Sequence, residues 1–402
     1  MESQTFQRRR ENDSALRVVM LNWRDTLHPE GGGSERYVET VAAGLAAAGH
    51  DVTVFCAAYP GGARHEWRDG YRIVRRGGKL TVYARALAAL ATRRLGRPDV
   101  VVDVQNGVPF WSRVAVRCPV VVLVHHVHRE QWGVVYRRAI ARFGWWLESW
   151  LAPRVYRRSQ YVTVSEVTRD ELTGLGVERA RIDVVHNGTA PAPPTTVARS
   201  ATPRICVLGR LVPHKQVEHA LAAAARLRHD WPDLRVSVVG SGWWAQQLVA
   251  AAERLGVGDI TEFHGHVDEQ AKHDELARSW LMVAPSVKEG WGLVVVEGAQ
   301  HELPAVGYRS AGGIAESIVD GETGVLVDDL DQLTRAVGEL LADDARRGRL
   351  GRAAARRAAE FSWASTVHGW EQILERVCAE RSRPPLRAAT AATQLSLFFR
   401  QS

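Results

Sequence analysis

Cysteine, methionine and lysine are scarce in this chain of 402 residues, and apolar runs are short. The four cysteines, Cys56, Cys118, Cys206 and Cys378, lie far apart with no Cys-x-x-Cys pair, which excludes a disulfide scaffold. Two of them sit in strand-like runs (TVFC, ICVL), where a free cysteine serves as a small buried hydrophobe, and a reducing cytoplasm is expected. No apolar run approaches the roughly 18–20 residues of a membrane span. Residues 1–15 are polar and lack the apolar stretch of a signal peptide, so the expectation is a soluble cytoplasmic protein, with peripheral contact at the inner face of a membrane left open.

What is present is the balance of an ordinary globular protein, 46% hydrophobic and 24% charged, which is ample for a core in each of two or three domains. Basic residues number 52 and acidic 45, a net charge of +7. That suits an anionic ligand or lipid surface and is too dispersed to argue for nucleic acid. Only four of the cations are lysines (Lys79, Lys215, Lys272, Lys288), so each is worth locating.

Short β-branched runs alternate with amphipathic helices. Leu16–Leu21 reads as a buried strand, and Ser34 as the cap of a helix through Ala48 with Tyr37, Val38, Val41 and Leu45 on one face. Strands are expected at Asp51–Cys56, Val121–Val124, Tyr161–Val164, Ile182–Val185, Ile205–Gly209, Leu234–Gly240, Ile260–Phe263 and Leu281–Ala284. The pattern predicts an α/β protein of two doubly wound parallel-sheet domains, 16–189 and 204–363. Residues 190–203 carry four of the 16 prolines and read as a linker. The first 15 residues and 381–402 are expected to be disordered or flexible.

Ligands of open parallel sheets bind beyond the carboxyl ends of the strands. After Ile205–Gly209 comes a proline-stiffened turn with Arg210 and Lys215, two cations placed for a diphosphate. After Leu281–Ala284 comes PSVKEGWG and then an apolar helix. Gly290 and Gly292 allow close backbone approach, and Gly292 and Leu293 open the helix where free N–H groups can meet phosphate. Glu289 precedes that helix, and Glu297 is expected about two turns into it. Val121–Val124 ends in His125-His126-Val127-His128; the first two histidines, being adjacent, would point opposite ways on an extended chain, which argues against a shared metal. Asp329/Asp331 forms the one clear Asp-x-Asp and reads as a helix cap.

These motifs together resemble the retaining GT-B glycosyltransferases of the Glu-x7-Glu type (glycosyltransferase family four, glycosyl transferases group one). Glu289 to Glu297 matches the motif, GRLVPHK (209–215) its diphosphate loop, Asn187-Gly188 its interdomain sequence, Gly31-Gly32-Gly33-Ser34-Glu35 its glycine loop, and Phe361-Ser362-Trp363 its return to the first domain. The matches run in order over about residues 16–380.

The resemblance implies two Rossmann-like domains facing a cleft and a helix, 364–380, returning to the first domain. It also implies metal-independent transfer of a hexose from a nucleoside-diphosphate sugar, with no cofactor. Arg210 and Lys215 would stabilise the departing diphosphate, Glu289 would hold the donor sugar, Glu297 the ribose, and His125 (His126 second) would face the sugar. Gly32, Gly33, Gly290, Gly292 and Leu293 would line the donor.

Val267, Asp268 and Glu269 fall beside the base. Asp268 or Glu269 could pair with guanine, and Lys272 resembles a lysine of GDP-mannose users, so GDP-mannose is placed slightly ahead of UDP-sugars. Helix N-terminal acids are the plainer reading of Asp268 and Glu269. A catalytically silent nucleotide-sugar-binding subunit and an epimerase on the same architecture are the other readings. A dinucleotide oxidoreductase is excluded, because no GxGxxG follows the first strand. The acceptor is not legible. Residues 131–158 mix aromatics with six arginines, as would a membrane-surface helix. The preferred reading is an ordinary helix whose Trp and Leu face the core while arginines snorkel outward.

Overall fold

The structure is a computed structural model that describes residues 15–29, 31–129, 132–133 and 137–382. The expected disordered start therefore lies almost wholly outside the described residues. Of the expected tail, only Arg381 and Ser382 are described, and they still belong to the last helix.

Two open sheets form. In the first lobe the strands are β1 (Arg17–Leu21), β2 (Asp51–Cys56), β3 (His65–Arg68), β4 (Tyr71–Arg75), β5 (Val100–Val104), β6 (Val120–Val124), β7 (Gln160–Thr163) and β8 (Ile182–Val184). They pair in the order β3-β4-β2-β1-β5-β6-β7-β8, parallel throughout apart from the β3–β4 hairpin. The second lobe holds β9 (Arg204–Leu208), β10 (Arg235–Val239), β11 (Thr261–Gly265), β12 (Leu281–Ala284), β13 (Ala305–Tyr308) and β14 (Gly324–Val327), ordered β11-β10-β9-β12-β13-β14. Strand direction of travel reverses at β1 and at β9. Those two switch points, where flanking connections leave to opposite sides, set the ends of the binding crevice.

β1 shows why the sequence runs are apolar on every residue. Val18 and Met20 enter one core cluster while Val19 and Leu21 enter the other, so both faces of the sheet are covered. The helix Gly33–Ala47 lays Tyr37, Val38, Val41 and Leu45 on the first of these. It begins two residues earlier than expected: Gly32, not Ser34, is the cap. The Glu35 carboxylate folds back to accept the Gly32 N–H at 2.8 Å and the Ser34 hydroxyl at 2.9 Å, which takes Ser34 away from the capping position.

The chain passes between the lobes twice, side by side. Thr189 pairs with Ser362 as an isolated parallel bridge, and the Thr189 N–H donates to the Phe361 carbonyl at 2.9 Å. The helix Trp363–Ser382 then packs on the first lobe, burying Trp370, Ile373 and Leu374 in its core. The Trp370 indole N–H donates to the Tyr37 hydroxyl at 2.7 Å.

Residues 190–203 have no regular structure, yet they are strapped to the second lobe. Thr195 donates to Asp274 at 2.7 Å, the Ser200 N–H to the Arg278 carbonyl at 2.9 Å, and Arg199 to the His301 carbonyl at 2.9 Å. Composition alone does not reveal such anchoring.

Asp329 does cap the helix Leu330–Ala342, accepting the Gln332 N–H at 2.8 Å, and Asp331 pairs with Arg226 at 2.6 Å. The arginine-rich segment departs from expectation. A helix over Arg138–Trp146 continues through a π-turn, Leu147–Leu151, into Ala152–Val155. Trp145 packs against the core, but Phe143, Trp146 and Trp150 are exposed while Ala141, Gly144, Glu148 and Ala152 are buried, so those three rings do not face it.

Candidate functional site

The loop after β9 and the loop after β12 are tied together by the Val287 N–H, which donates to the His214 carbonyl at 2.8 Å. Pro213–Lys215 forms a single 3₁₀ turn whose Lys215 N–H returns to the Val212 carbonyl at 3.0 Å. This double anchoring brings the Lys215 ammonium onto the Glu289 carboxylate as an ion pair. Glu289 is fixed in turn through its backbone, accepting the Gly313 N–H at 2.8 Å and donating to Ala311 at 3.0 Å.

Across from these groups stand the loop after β1 and the end of β6. Arg210 reaches over to the first lobe and donates to the Gly31 carbonyl at 3.3 Å. Gly290 lies so near the first lobe that a Cβ there would sit 2.5 Å from the His125 carbonyl oxygen. An ion pair, Lys288 with Glu171 at 2.7 Å, and a hydrogen bond, His186 with Glu316 at 2.9 Å, also join the lobes. Between the lobes lies a cleft of about 470 Å³ lined by Gly32, Gly33, His125, His126, Arg210, Lys215, Glu289, Gly290 and Leu293.

The remaining expected residues sit elsewhere. Glu297 is the fifth residue of the helix Leu293–Ala299, just over one turn in rather than two. It forms a charged triad: the Lys272 ammonium lies 2.7 Å from Glu297 and 2.8 Å from Glu269. Burial alone would lower the Lys272 pKa; the two carboxylates outweigh it and hold the ammonium above its ordinary value. Glu269 also faces Arg36 of the first lobe at 3.7 Å. Asp268 takes the plainer of its two readings, capping the helix Glu269–Arg278 by accepting the Ala271 N–H at 2.8 Å. Val267 lines a separate groove with His264, Ala271 and Asp274. Gly292 caps the short helix with its open side filled by Ser317, outside the cleft lining.

His125 and His126 diverge. His125 packs edge-on against Tyr37 with ring centroids 5.1 Å apart, while His126 meets the His128 ring at 4.2 Å. Burial, with some help from His128, lowers the His125 pKa to about 4, so the ring is neutral at pH 7 and its Nε2 has no hydrogen-bond partner among the described residues. A neutral imidazole of this kind can exchange hydrogen bonds with a hydroxyl without adding charge.

Because the unfolded ring titrates near 6.5, the unfolded chain binds the extra proton between there and about 4, and stability falls as pH falls through that window. Burial and the neighbouring His273 push His301 down to about 4 with the same sign. The urea midpoint should therefore drop steadily over this range, and His125→Phe should flatten part of the slope, by about 1.4 kcal/mol per pH unit at most. A variant with an unchanged slope would assign the proton uptake to other groups.

Three further lining residues have no site role in the sequence reading, Asn187 entering it only through the interdomain motif. Arg24 stacks over the Trp23 ring at 4.4 Å and lies 3.4 Å from Glu35, placing a second-sign pair on the first-lobe wall. Asn187 and Trp291 line the cleft, each with a buried polar atom lacking a partner among the described residues. Arg24 was findable: it follows β1, the strand at the switch point.

Residues 194–357 match the family described as glycosyl transferases group 1, and residues 31–192 match glycosyltransferase family 4. The chain is 29% identical over 397 residues to the glycogen synthase of Mycobacterium tuberculosis, covering 89% of this chain and 94% of that one. It is 30% identical over 423 residues to the MMP α-(1→4)-mannosyltransferase of Mycolicibacterium hassiacum, covering 90% of this chain and 100% of that one. Among solved structures it resembles sucrose-phosphate synthase from Thermosynechococcus elongatus, with a TM-score of 0.74 and 19% identity over 91% of this chain and 100% of that one. At that identity the likeness speaks to the fold.

Proposed function

Because the chain belongs to the GT-B glycosyltransferases of family 4 and group 1, enzymes working from nucleotide sugars, we propose that it transfers a hexose with retention, mannose from GDP-mannose being the leading donor. The observation that carries this reading is the convergence of Arg210, Lys215 and Glu289 with His125 and the glycine loop on one cleft. As the sugar–phosphate bond breaks, negative charge grows on the diphosphate and positive charge on the anomeric carbon. Arg210 and Lys215 meet the first with fixed cations. Lys215 has three N–H donors, so it can hold Glu289 and a phosphate oxygen together, orienting Glu289 toward the sugar hydroxyls. His125 adds a neutral hydrogen-bonding edge, and Glu297, steadied by Lys272, takes the ribose. No step calls on a metal or cofactor.

The donor lean rests on Glu269. Asp268 is engaged as a helix cap, whereas Glu269 is largely exposed beyond Lys272 and faces Arg36 of the first lobe. Its carboxylate can accept from the N1–H and amino group of guanine, and uracil offers no such pair. The hassiacum relative is a mannosyltransferase by name, in keeping with that sugar. A thermal-shift panel of GDP, UDP, ADP and dTDP sugars should show the largest stabilisation with GDP-mannose. Glu269→Ala should weaken GDP by roughly tenfold or more while leaving UDP nearly unchanged, measured by calorimetry. Equal losses for both nucleotides would remove the case for guanine.

A further inference from the structure

The helical stretch from Arg138 to Val155 is built inside out. Its packed seam is made of small or polar residues: Ala141, Gly144, Glu148 and Ala152 are buried. Trp132 fills the hollow over Gly144, and Glu148 accepts the His128 N–H at 3.0 Å and the Trp132 indole N–H at 2.6 Å. Trp145 and Val155 are the larger apolar side chains that join this seam against the core. Four others point outward: Ile140, Phe143, Trp146 and Trp150 are 54%, 59%, 42% and 44% exposed. They follow one another at helical spacing. Phe143 and Trp146 stack at 5.9 Å, and Trp146 and Trp150 at 5.2 Å, so the strip runs unbroken through the π-turn.

Charge surrounds the strip with one sign. Between Arg137 and Arg158 there are six arginines and a single acid, Glu148, which is buried and engaged. Arg154 lies over the Trp150 ring at 4.1 Å. Exposed rings beside guanidinium groups with no acidic partner among the described residues fit a surface that offers both apolar depth and negative charge. An isologous contact between two copies would set six arginines against six, which disfavours self-association. Single-stranded nucleic acid needs open ring faces, and here the rings cover one another.

We propose that this face, Ile140, Phe143, Trp146 and Trp150 with Arg138, Arg142, Arg157 and Arg158, docks on an anionic lipid bilayer. Glu148 ties the docking helix to His128, three residues beyond His125 at the cleft, so the membrane would hold the acceptor-side lobe directly. Only that last clause rests on the proposed transfer reaction; the binding itself is tested without it.

The test is co-sedimentation of the full chain with phosphatidylcholine vesicles, with and without phosphatidylglycerol. Binding should require phosphatidylglycerol and fall as salt is raised. Phe143→Ser, Trp146→Ser and Trp150→Ser together should weaken it by at least about tenfold. Replacing Arg138, Arg142, Arg157 and Arg158 by Gln should cost about fivefold per charge. Unchanged circular dichroism and nucleotide-induced thermal shift would show these variants folded. Should the triple variant not fold, Trp146→Ser alone and quenching of the wild-type tryptophans by brominated phosphatidylcholine give the same readout.

Equal sedimentation with both vesicle types, or no loss in folded variants, would overturn the proposal. So would tighter binding to a single-stranded oligonucleotide than to vesicles, or a concentration-dependent dimer in light scattering that the triple variant abolishes.

Discussion

Lys215→Ala should slow sugar transfer by roughly 10²–10³ while leaving the fold intact. The side chain sits on a turn fixed at both ends and contributes nothing to either hydrophobic core. Its loss removes a cation from the place where leaving-group charge accumulates. It also leaves Glu289 without its ion-pair partner, and both groups are largely shielded, with 18% and 17% of their side chains exposed. Two causes of inactivity are therefore entangled in the single variant. Calorimetry of the double variant Lys215→Ala/Glu289→Ala with the nucleoside diphosphate alone, which has no sugar for Glu289 to hold, separates them. If Lys215 served only to neutralise Glu289, the double variant would bind the diphosphate as tightly as wild type. If Lys215 meets the phosphate, the double variant binds it as weakly as the single one. Near-normal kcat in Lys215→Ala would remove the diphosphate assignment altogether.

Gly290→Ala should be at least as damaging to turnover, by about 10² or more, through geometry rather than charge. The added methyl would lie 2.5 Å from the His125 carbonyl oxygen, a backbone atom that cannot rotate away. On the other side, Gly313 is already pressed against the Gly290 carbonyl. The clash is relieved only by drawing the lobes apart, which separates His125 and the glycine loop from Lys215 and Glu289. Trp291, the next residue, is buried in the first lobe's core with Val296 and Ala299, so the melting temperature should fall too, and kcat is read on protein still folded at the assay temperature. Activity within a few-fold of wild type would mean that transfer does not need the lobes this close.

The fold was legible because β-branched runs and amphipathic helices alternate so regularly, and because both switch points carry loops rich in glycine and cations. Lys215, in a chain with almost no lysine, pointed at the diphosphate loop before any geometry was known, and the structure sets it against Glu289. Three things were not legible. The β3–β4 hairpin, β5 and β13 are not among the expected strands, and in β5 Asp103 interrupts the apolar run VVVDV. In the structure Asp103 is buried and accepts from the Phe110 N–H, the Ser112 N–H and hydroxyl, and the Tyr156 hydroxyl. Proline content suggested a free linker at 190–203, but side-chain hydrogen bonds to a distant helix have no local signature. The orientation of the 138–155 helix is only partly legible, because periodicity shows that rings share a face without saying which face is packed: Trp145 meets the core as expected, whereas Phe143, Trp146 and Trp150 are exposed. There the decision falls to Gly144 and Trp132, which fit together on the opposite side.

The last helix has a consequence for synthesis. Trp370, Ile373 and Leu374 complete a core whose other members, among them Val18, Tyr37, Val41 and Leu45, emerge from the ribosome more than three hundred residues earlier. Until the helix Trp363–Ser382 has been made, the Tyr37 hydroxyl lacks the Trp370 indole and the apolar face of the helix Gly33–Ala47 stays partly bare. The half made second can therefore finish first. The half made first waits with hydrophobic surface open, the interval in which a nascent chain most needs a chaperone.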